Sequence, residues 1–127
     1  MNNYVKISNI IKKFNRVITV QGDKSISIRW ALMASQAVGK SRANNLLKSE
    51  DVESTLTALK KLGVKVLKNK KYCEIIGKGL NSYNFRNNTI INAGNSGTFA
   101  RLIMGVLSNS DKAVVIKGDK SLSGRDF

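Results

Sequence analysis

The chain has 127 residues, enough for one ordinary domain, and 42% of them are hydrophobic and 24% charged, which is typical of a folded globular protein. Twenty-two Lys and Arg against eight Asp and Glu give a formal charge of +14, so we expect anionic ligands. The sequence has no His and one cysteine, which excludes a Ser–His or Cys–His nucleophile and an internal disulfide. The carboxylates do not cluster at metal-ligand spacing, so no metal site is expected.

Residues 1–16 mix polar and apolar side chains, and the sequence has no apolar run long enough for a signal peptide or a membrane span. We therefore expect a cytoplasmic protein without a membrane partner. Cys73 lies in the apolar stretch YCEII and is expected to be a buried thiol rather than a nucleophile, because no His can activate it.

The first half of the chain alternates strand and helix patterns. The β-branched run RVITV (16–20) predicts a strand that ends in a turn. A helix is predicted from Ser27 to about Val38, with Gly39 as its stop, and SRANNLL (41–47) predicts a second strand or extended segment. The clearest helix lies within SEDVESTLTALKKLG (49–63), where Ser, Glu and Asp begin the pattern, two lysines close it and Gly ends it.

The second half repeats the alternation. VKVL and YCEII predict a hairpin around the turn KNKK, and NTIIN (88–92) predicts a further strand. A helix follows whose apolar residues recur at helical spacing: Phe99, Leu102, Ile103, Val106 and Leu107. AVVIK (113–117) predicts the last strand. This order indicates an α/β or α+β fold built from repeating β-α units, not a helical bundle or a β-sandwich.

Three loops share one design, in which a strand ends, small residues follow and a helix begins or can begin. They are QGDKSIS (21–27), NAGNSGT (92–98) and KGDKSLS (117–123). The octets GDKSISIR (22–29) and GDKSLSGR (118–125) agree at six of eight positions. Helix N-termini with Gly, Ser, Lys and Arg suit phosphate or carboxylate groups, although each loop by itself also fits a capped helix after a glycine turn. Neither the Walker spacing nor the dinucleotide-binding spacing is present.

The sequence also resembles a known family. A K-S-x-S-x-R loop, an L-x-S-E-D helix start, an L-x-x-L-G-V ending, a GNSGT-x-x-R loop and a GD-x-S-L-x-x-R loop follow in order from about Val17 to Arg125. This series resembles the N-terminal portion of 5-enolpyruvylshikimate-3-phosphate synthase. The sister family, UDP-N-acetylglucosamine enolpyruvyl transferase, has K-N where this chain has Lys24 and Ser25, so that alternative is disfavoured.

The resemblance implies part of an inside-out α/β barrel built of βαβαββ units, with the active site between two domains. Residues 1–20 would associate with the second domain, and residues 21–127 would form a partial first domain of about one and a half units. The implied reaction transfers the enolpyruvyl group of phosphoenolpyruvate to the 5-hydroxyl of shikimate 3-phosphate and releases phosphate. It needs no metal and no organic cofactor. The implied partners are these two substrates and the missing C-terminal part of the enzyme.

The resemblance also implies roles for individual residues in the first loop. Lys24 would contact both substrates and stabilise charge during addition and elimination, and is the implied catalytic residue. Ser25 and Arg29 would hold shikimate 3-phosphate, with Arg29 facing its carboxylate.

The later loops would complete the phosphoenolpyruvate pocket. Asn95 and Gly97 would line this pocket, where Gly97 leaves room that a side chain would fill, and Arg125 would grip the same substrate. Arg101 has a matching position, for which a fold-stabilising ion pair and a substrate contact are both open.

Some positions depart from the family pattern or keep a structural interpretation. Gln21 stands where the family usually has Pro, and Ile28 replaces a polar residue. Asp126 follows Arg125 where Pro is usual, and is a possible competitor for that arginine. Lys120 and Ser121 are interpreted as turn residues on the way to it.

Other functions stay open at this stage. The chain has no convincing general base among its few acids, so we expect no turnover by the chain alone. A small basic anion-binding or RNA-binding module fits the charge, but the aromatic residues are not interleaved with the basic loops, so no nucleic acid is expected. An inactive, poorly folded relic is the third alternative.

Overall fold

A computed structural model describes residues 4–6, 8, 13 and 15–126 of the chain. The helices in this part are α1 (Lys24–Gln36), α2 (Glu50–Lys61), α3 (Gly97–Leu107) and α4 (Lys120–Ser123). The strands are β1 (Val38–Asn44), β2 (Lys65–Lys68), β3 (Tyr72–Lys78), β4 (Thr89–Asn92) and β5 (Val114–Lys117). The mixed α/β class predicted from the sequence is confirmed, and no barrel is closed within the described residues.

Helix α1 begins earlier than the predicted Ser27–Val38. The carboxylate of Asp23 accepts a hydrogen bond from the main-chain N–H of Ile26 at 2.7 Å, which caps the helix three residues further upstream. The helix also ends earlier, because Ala37 is extended and β1 follows at once, so Gly39 lies inside a strand instead of ending the helix. As a result, the lysine and serine of the first octet lie in the first turn of a helix.

The strands form two sheets. In the first sheet, β3 lies between β1 and β2 and pairs with both in antiparallel fashion. The predicted hairpin of β2 and β3 is confirmed, and Asn69 in its turn accepts main-chain hydrogen bonds from Lys71 and Tyr72. Residues 41–44 of the predicted segment SRANNLL belong to β1, which starts three residues earlier at Val38, and residues 45–47 follow the strand.

The second sheet is the parallel pair of β4 and β5, joined by the crossover helix α3. The side chain of Ser96 caps α3 by accepting from the N–H of Phe99. Phe99 and Ile103 are fully buried, as the predicted apolar face requires, whereas Leu102 is 38% exposed and faces a groove of about 480 Å³ between α1 and α3.

One hydrophobic core joins the helices to the inner face of the three-stranded sheet. Its fully buried members include Ile28, Leu59 and Ile75. Cys73 lies beside them in β3 and is buried, as predicted, and burial raises the pKa of its thiol against the opposing charges of nearby lysines.

The run RVITV is not a strand, and that prediction was wrong. Residues 16–20 pair with no strand in the described part of the chain, and Val17 and Val20 are exposed. A β-strand needs a neighbour to accept its main-chain hydrogen bonds, and among the described residues this segment is instead tied to the fold by the side chain of Asn45, whose amide donates to the carbonyl of Val20 at 2.9 Å. Much of residues 1–14 lies outside the described residues, and the association of residues 1–20 with a second domain stays a prediction.

None of the helices in the described residues is long and apolar enough to cross a membrane.

The outer face of the three-stranded sheet carries a group of charged side chains. There Glu74 is almost fully buried beneath two basic side chains. Arg42 donates to Oε1 of Glu74 at 2.8 and 3.1 Å, and Lys40 lies 3.7 Å from the same oxygen. Arg42 in turn stacks on the ring of Tyr72 at 4.2 Å.

Acidification should expose the contribution of Glu74. Hydrogen bonds from Arg42 hold the pKa of this carboxyl below its ordinary value, although burial acts in the opposite direction. The stabilisation is therefore present above the unfolded pKa of about 4.3 and is lost as pH falls through the lower folded value. Glu74→Gln should lower the melting temperature at pH 7 and flatten its dependence on pH below about 4.3.

The matched control is Glu50→Gln, because Glu50 is an exposed glutamate that forms no side-chain ion pair in the described residues. Melting curves between pH 3 and pH 7 would make this comparison. Equal pH dependence in the two variants would contradict the assignment.

Candidate anion-binding site

The first turn of α1 is tied to the first turn of α2. Nζ of Lys24 lies 3.0 Å from Oδ2 of Asp51. The lysine side chain is half exposed, whereas the aspartate side chain is 16% exposed, so the carboxylate fixes one end of the lysine and leaves the rest open to solvent. This ion pair brings the N-termini of two helices together.

The loop before α3 packs on the same part of α2. A Cβ added at Gly94 would lie 3.1 Å from Oγ of Ser54, which is one helical turn beyond Asp51. The carbonyl of Gly94 accepts a hydrogen bond from the N–H of Asp119 at 2.9 Å. Asp119 caps α4 as Asp23 caps α1, so the second octet is joined to the NAGNSGT loop.

Arg125 reaches back from the end of the second octet to that same loop. Its Nη2 donates to Oδ1 of Asn95 at 2.8 Å and to Oγ of Ser121 at 3.3 Å. A Cβ at Gly97 would lie 3.1 Å from Nη1 of Arg125 and 3.8 Å from Cδ1 of Leu122. Gly97 therefore leaves room for the guanidinium, and a Cβ at this position would require Nη1 to shift by a few tenths of an ångström.

These contacts link the three predicted loops to one another through α2. The N-termini of α1, α2 and α3, each 11 to 13 residues long, lie close together and carry partial positive charge and unpaired N–H groups. Lys24 and Arg125 add full charges. Within the described residues, no three Cys, Asp or Glu side chains are placed to hold a metal ion. The arrangement suits a small ligand with phosphate or carboxylate groups.

Ser25 and Arg29 extend the site along α1. They lie four residues apart and therefore on one face of the helix. Neither side chain makes a hydrogen bond or an ion pair with the other described residues, so their donors are available to a ligand. Arg29 also borders the groove between α1 and α3. Ile28, the departure from the family pattern, is fully buried in the core, which explains its apolar character.

The structure corrects two interpretations of the second octet. Ser121 is not just a turn residue, because it contacts the guanidinium of Arg125. The partners of Arg125 are Asn95 and Ser121, whereas Asp126 uses its main-chain carbonyl to accept a hydrogen bond from Arg101 at 3.1 Å. The Arg101 contact links α3 to the end of the second octet.

Sequence reasoning missed Asp51 as part of the site. The helix dipole favours an acid in the first turn of α2, as in the SED motif, but does not identify the partner of that acid. The first octet is itself held close: a Cβ at Gly22 would lie 2.2 Å from the carbonyl oxygen of Asn45. Ser27 accepts from the N–H of Leu47 in the same contact. The sequence signal available for this part of the site was Lys24, which lies two residues after the closely packed Gly22.

Fold and site together define an α/β protein in which basic side chains lie beside helix N-termini. A family model described as EPSP synthase (3-phosphoshikimate 1-carboxyvinyltransferase) matches residues 8–126, and the chain belongs to this family. The resemblance seen in the sequence motifs is thereby confirmed, and the matching family is not the sister transferase.

Individual relatives agree with this assignment. The 3-phosphoshikimate 1-carboxyvinyltransferase of Streptococcus suis is 40% identical over 95% of this chain and 28% of the relative. That of Streptococcus uberis is 44% identical over 85% of this chain and 25% of the relative. The solved EPSP synthase from Acinetobacter baumannii superimposes with a TM-score of 0.77 at 36% identity, over 85% of this chain and 24% of that one. The chain thus spans about a quarter of the length of its relatives.

Gly97→Ala should disturb the site without unfolding the chain. The new methyl group would meet Nη1 of Arg125, which is the far end of an exposed and movable side chain. We expect a change of less than about 0.5 kcal/mol in the free energy of unfolding. The guanidinium should move away from Asn95, and binding of inorganic phosphate should weaken. Phosphate titrations followed by amide NMR shifts would measure this.

Gly105→Ala is the matched control on the same helix. A Cβ at Gly105 meets nothing within 4 Å, so this variant should gain about 0.5–1 kcal/mol of stability and bind phosphate like the parent. Equal phosphate binding by the Gly97 and Gly105 variants would contradict the role given to Gly97.

Proposed function

We propose that this chain supplies the N-terminal part of the active site of a 3-phosphoshikimate 1-carboxyvinyltransferase. The proposed reaction transfers the enolpyruvyl group of phosphoenolpyruvate to the 5-hydroxyl of shikimate 3-phosphate. The observation that carries the proposal is the pair of contacts at these helix N-termini, Lys24 with Asp51 and Arg125 with Asn95, in a chain of this family.

The charges of the site match those of the substrates. Each substrate carries a phosphate and a carboxylate, and oxyanions of this kind prefer helix N-termini, lysine and the planar guanidinium. Arg125, held over Gly97 by Asn95, is assigned to phosphoenolpyruvate. Ser25 and Arg29, whose donors are free in the described residues, are assigned to shikimate 3-phosphate, with the guanidinium on its carboxylate.

Lys24 is assigned the role of charge stabilisation. The substrate hydroxyl loses its proton and adds to the enol carbon as the methylene carbon is protonated to a methyl group, which gives a tetrahedral intermediate. Loss of phosphate together with one methyl proton then restores the double bond in the enolpyruvyl product. An ammonium group beside the phosphate stabilises the negative charge that grows on the leaving group. The 3.0 Å ion pair with Asp51 holds this ammonium group between the first turns of α1 and α2.

The proposed reaction also requires parts of the enzyme outside this site. The residues that move protons are assigned to the C-terminal part of the enzyme, which is therefore a required partner. Residues 21–127 would form part of the first domain, and residues 1–20 would lie with the second. The proposed location is the cytoplasm, and the chemistry requires neither a metal nor an organic cofactor.

Complementation tests the proposal. The chain would be mixed with the Streptococcus suis relative truncated to lack the matching segment, and phosphate release would be followed with both substrates. We expect activity in the mixture and none from either part alone. No release from a mixture in which circular dichroism shows both parts to be folded would overturn the proposal.

Lys24→Gln in the complemented enzyme should reduce the rate of phosphate release about 100-fold or more, because the charge beside the leaving phosphate is removed. The control is Lys78→Gln, which neutralises an exposed lysine at the end of β3. A similar loss in both variants would mean that overall charge, rather than the position of Lys24, is responsible.

Arg29→Lys separates the two substrates. The lysine keeps the charge but cannot form two parallel hydrogen bonds to a carboxylate. The KM for shikimate 3-phosphate should rise about tenfold or more, and the KM for phosphoenolpyruvate should stay within about twofold. Steady-state kinetics with each substrate varied in turn would measure the two constants. An equal rise in both would contradict the assignment of Arg29.

A further inference from the structure

Arg125 makes its two side-chain hydrogen bonds through a single Nη atom. A guanidinium Nη atom carries two hydrogens. Nη2 of Arg125 donates to Asn95 at 2.8 Å and to Ser121 at 3.3 Å, so both of its hydrogens are in use. Nη1 and Nε have no hydrogen-bond acceptor among the described residues.

The donors that Arg125 already uses limit how its guanidinium can bind an oxyanion. A guanidinium offers two edges for a two-point hydrogen bond to carboxylate or phosphate, one formed by Nε and Nη2 and the other by Nη1 and Nη2. Each edge includes one hydrogen of Nη2. A ligand that uses either edge must therefore displace Asn95 or Ser121.

Ser121 is the partner that a ligand would displace more readily. Its contact is the longer of the two, it lies on the exposed four-residue helix α4, and its hydroxyl can turn to water once released. Asn95 makes the shorter bond and lies in the loop that packs against α2 and leads into α3. Its amide can keep one edge of the guanidinium aligned while the other edge binds the ligand.

We propose that Ser121 is a positioning residue that holds Arg125 in the ligand-free site and is exchanged for an oxyanion when the substrate binds. The proposal rests on the proposed function, because it takes Arg125 to be a ligand of phosphoenolpyruvate. Ser121 lowers the affinity for anions that need two hydrogen bonds. Nη1 and Nε keep free donors in the presence of Ser121. The affinity for an anion that needs one hydrogen bond should therefore not change when Ser121 is removed.

Anion titrations of this chain and its variants test the proposal. Phosphoenolpyruvate, inorganic phosphate, pyruvate and chloride would be titrated at constant ionic strength, with the amide shifts of Asn95 and Gly97 as the signal. Ser121→Ala should bind phosphoenolpyruvate about two- to fivefold more tightly, because one hydrogen bond no longer has to be broken. Chloride binding should not change. The phosphate and pyruvate arms show whether a phosphoryl or a carboxylate group takes the place of Ser121.

Two variants serve as controls. Ser121→Thr keeps the hydroxyl and should bind like the parent. Ser123→Ala makes the same change on the same helix, where the hydroxyl donates to the carbonyl of Gly118 at 3.5 Å and forms no hydrogen bond with Arg125. This variant should also bind like the parent.

The outcomes are separable from those of the proposed function. Unchanged or weaker phosphoenolpyruvate binding by Ser121→Ala would overturn the inference about Ser121, as would an equal gain for chloride. Arg125→Ala tests the underlying assignment, since undiminished phosphoenolpyruvate binding in that variant would remove Arg125 from the site. Loss of binding in Arg125→Ala without a gain in Ser121→Ala would overturn the inference alone.

Discussion

The first two turns of α2 are the support on which the site depends. Asp51 in the first turn binds Lys24, and Ser54 in the next packs against the loop at Gly94. Two segments separated by about seventy residues of sequence are thus fixed relative to one helix. The apolar side of α2, with Val52, Leu56 and Leu59 buried, anchors this helix in the core, so the position of the charged groups follows from the packing of the protein.

The convergence of positive charge has an electrostatic cost that the local sequence offsets. Three helix N-termini and two basic side chains repel one another when no anion lies between them. The helix N-termini are capped by side-chain oxygens of Asp23, Ser49 and Ser96, and the carboxylate of Asp51 compensates Lys24. Each of these oxygens satisfies one N–H donor or balances one charge. They reduce the repulsion among the positive groups, and an anion beside them would reduce it further.

Much of this arrangement could be predicted from sequence, and the exceptions have physical causes. The periodicity of α2 and α3 identified both helices, because their apolar faces are determined by local spacing. The strand predicted at 16–20 failed because β-branched residues indicate strand propensity but not the presence of a pairing partner. The contacts of Lys24 with Asp51 and of Arg125 with Ser121 were missed for a related reason. Side-chain pairing between segments is decided by tertiary packing, which no single loop encodes.

The thiol of Cys73 can report how often the structure around β3 opens. The group is buried in the central strand of the three-stranded sheet, with a raised pKa, and is the only cysteine in the sequence. The thiol is 2% exposed, so a thiol reagent needs a local opening around β3 to reach it, and the rate of labelling measures the frequency of that opening. Because α1 packs on this strand and carries Lys24, the same rate would show whether a ligand held by that lysine also steadies the core.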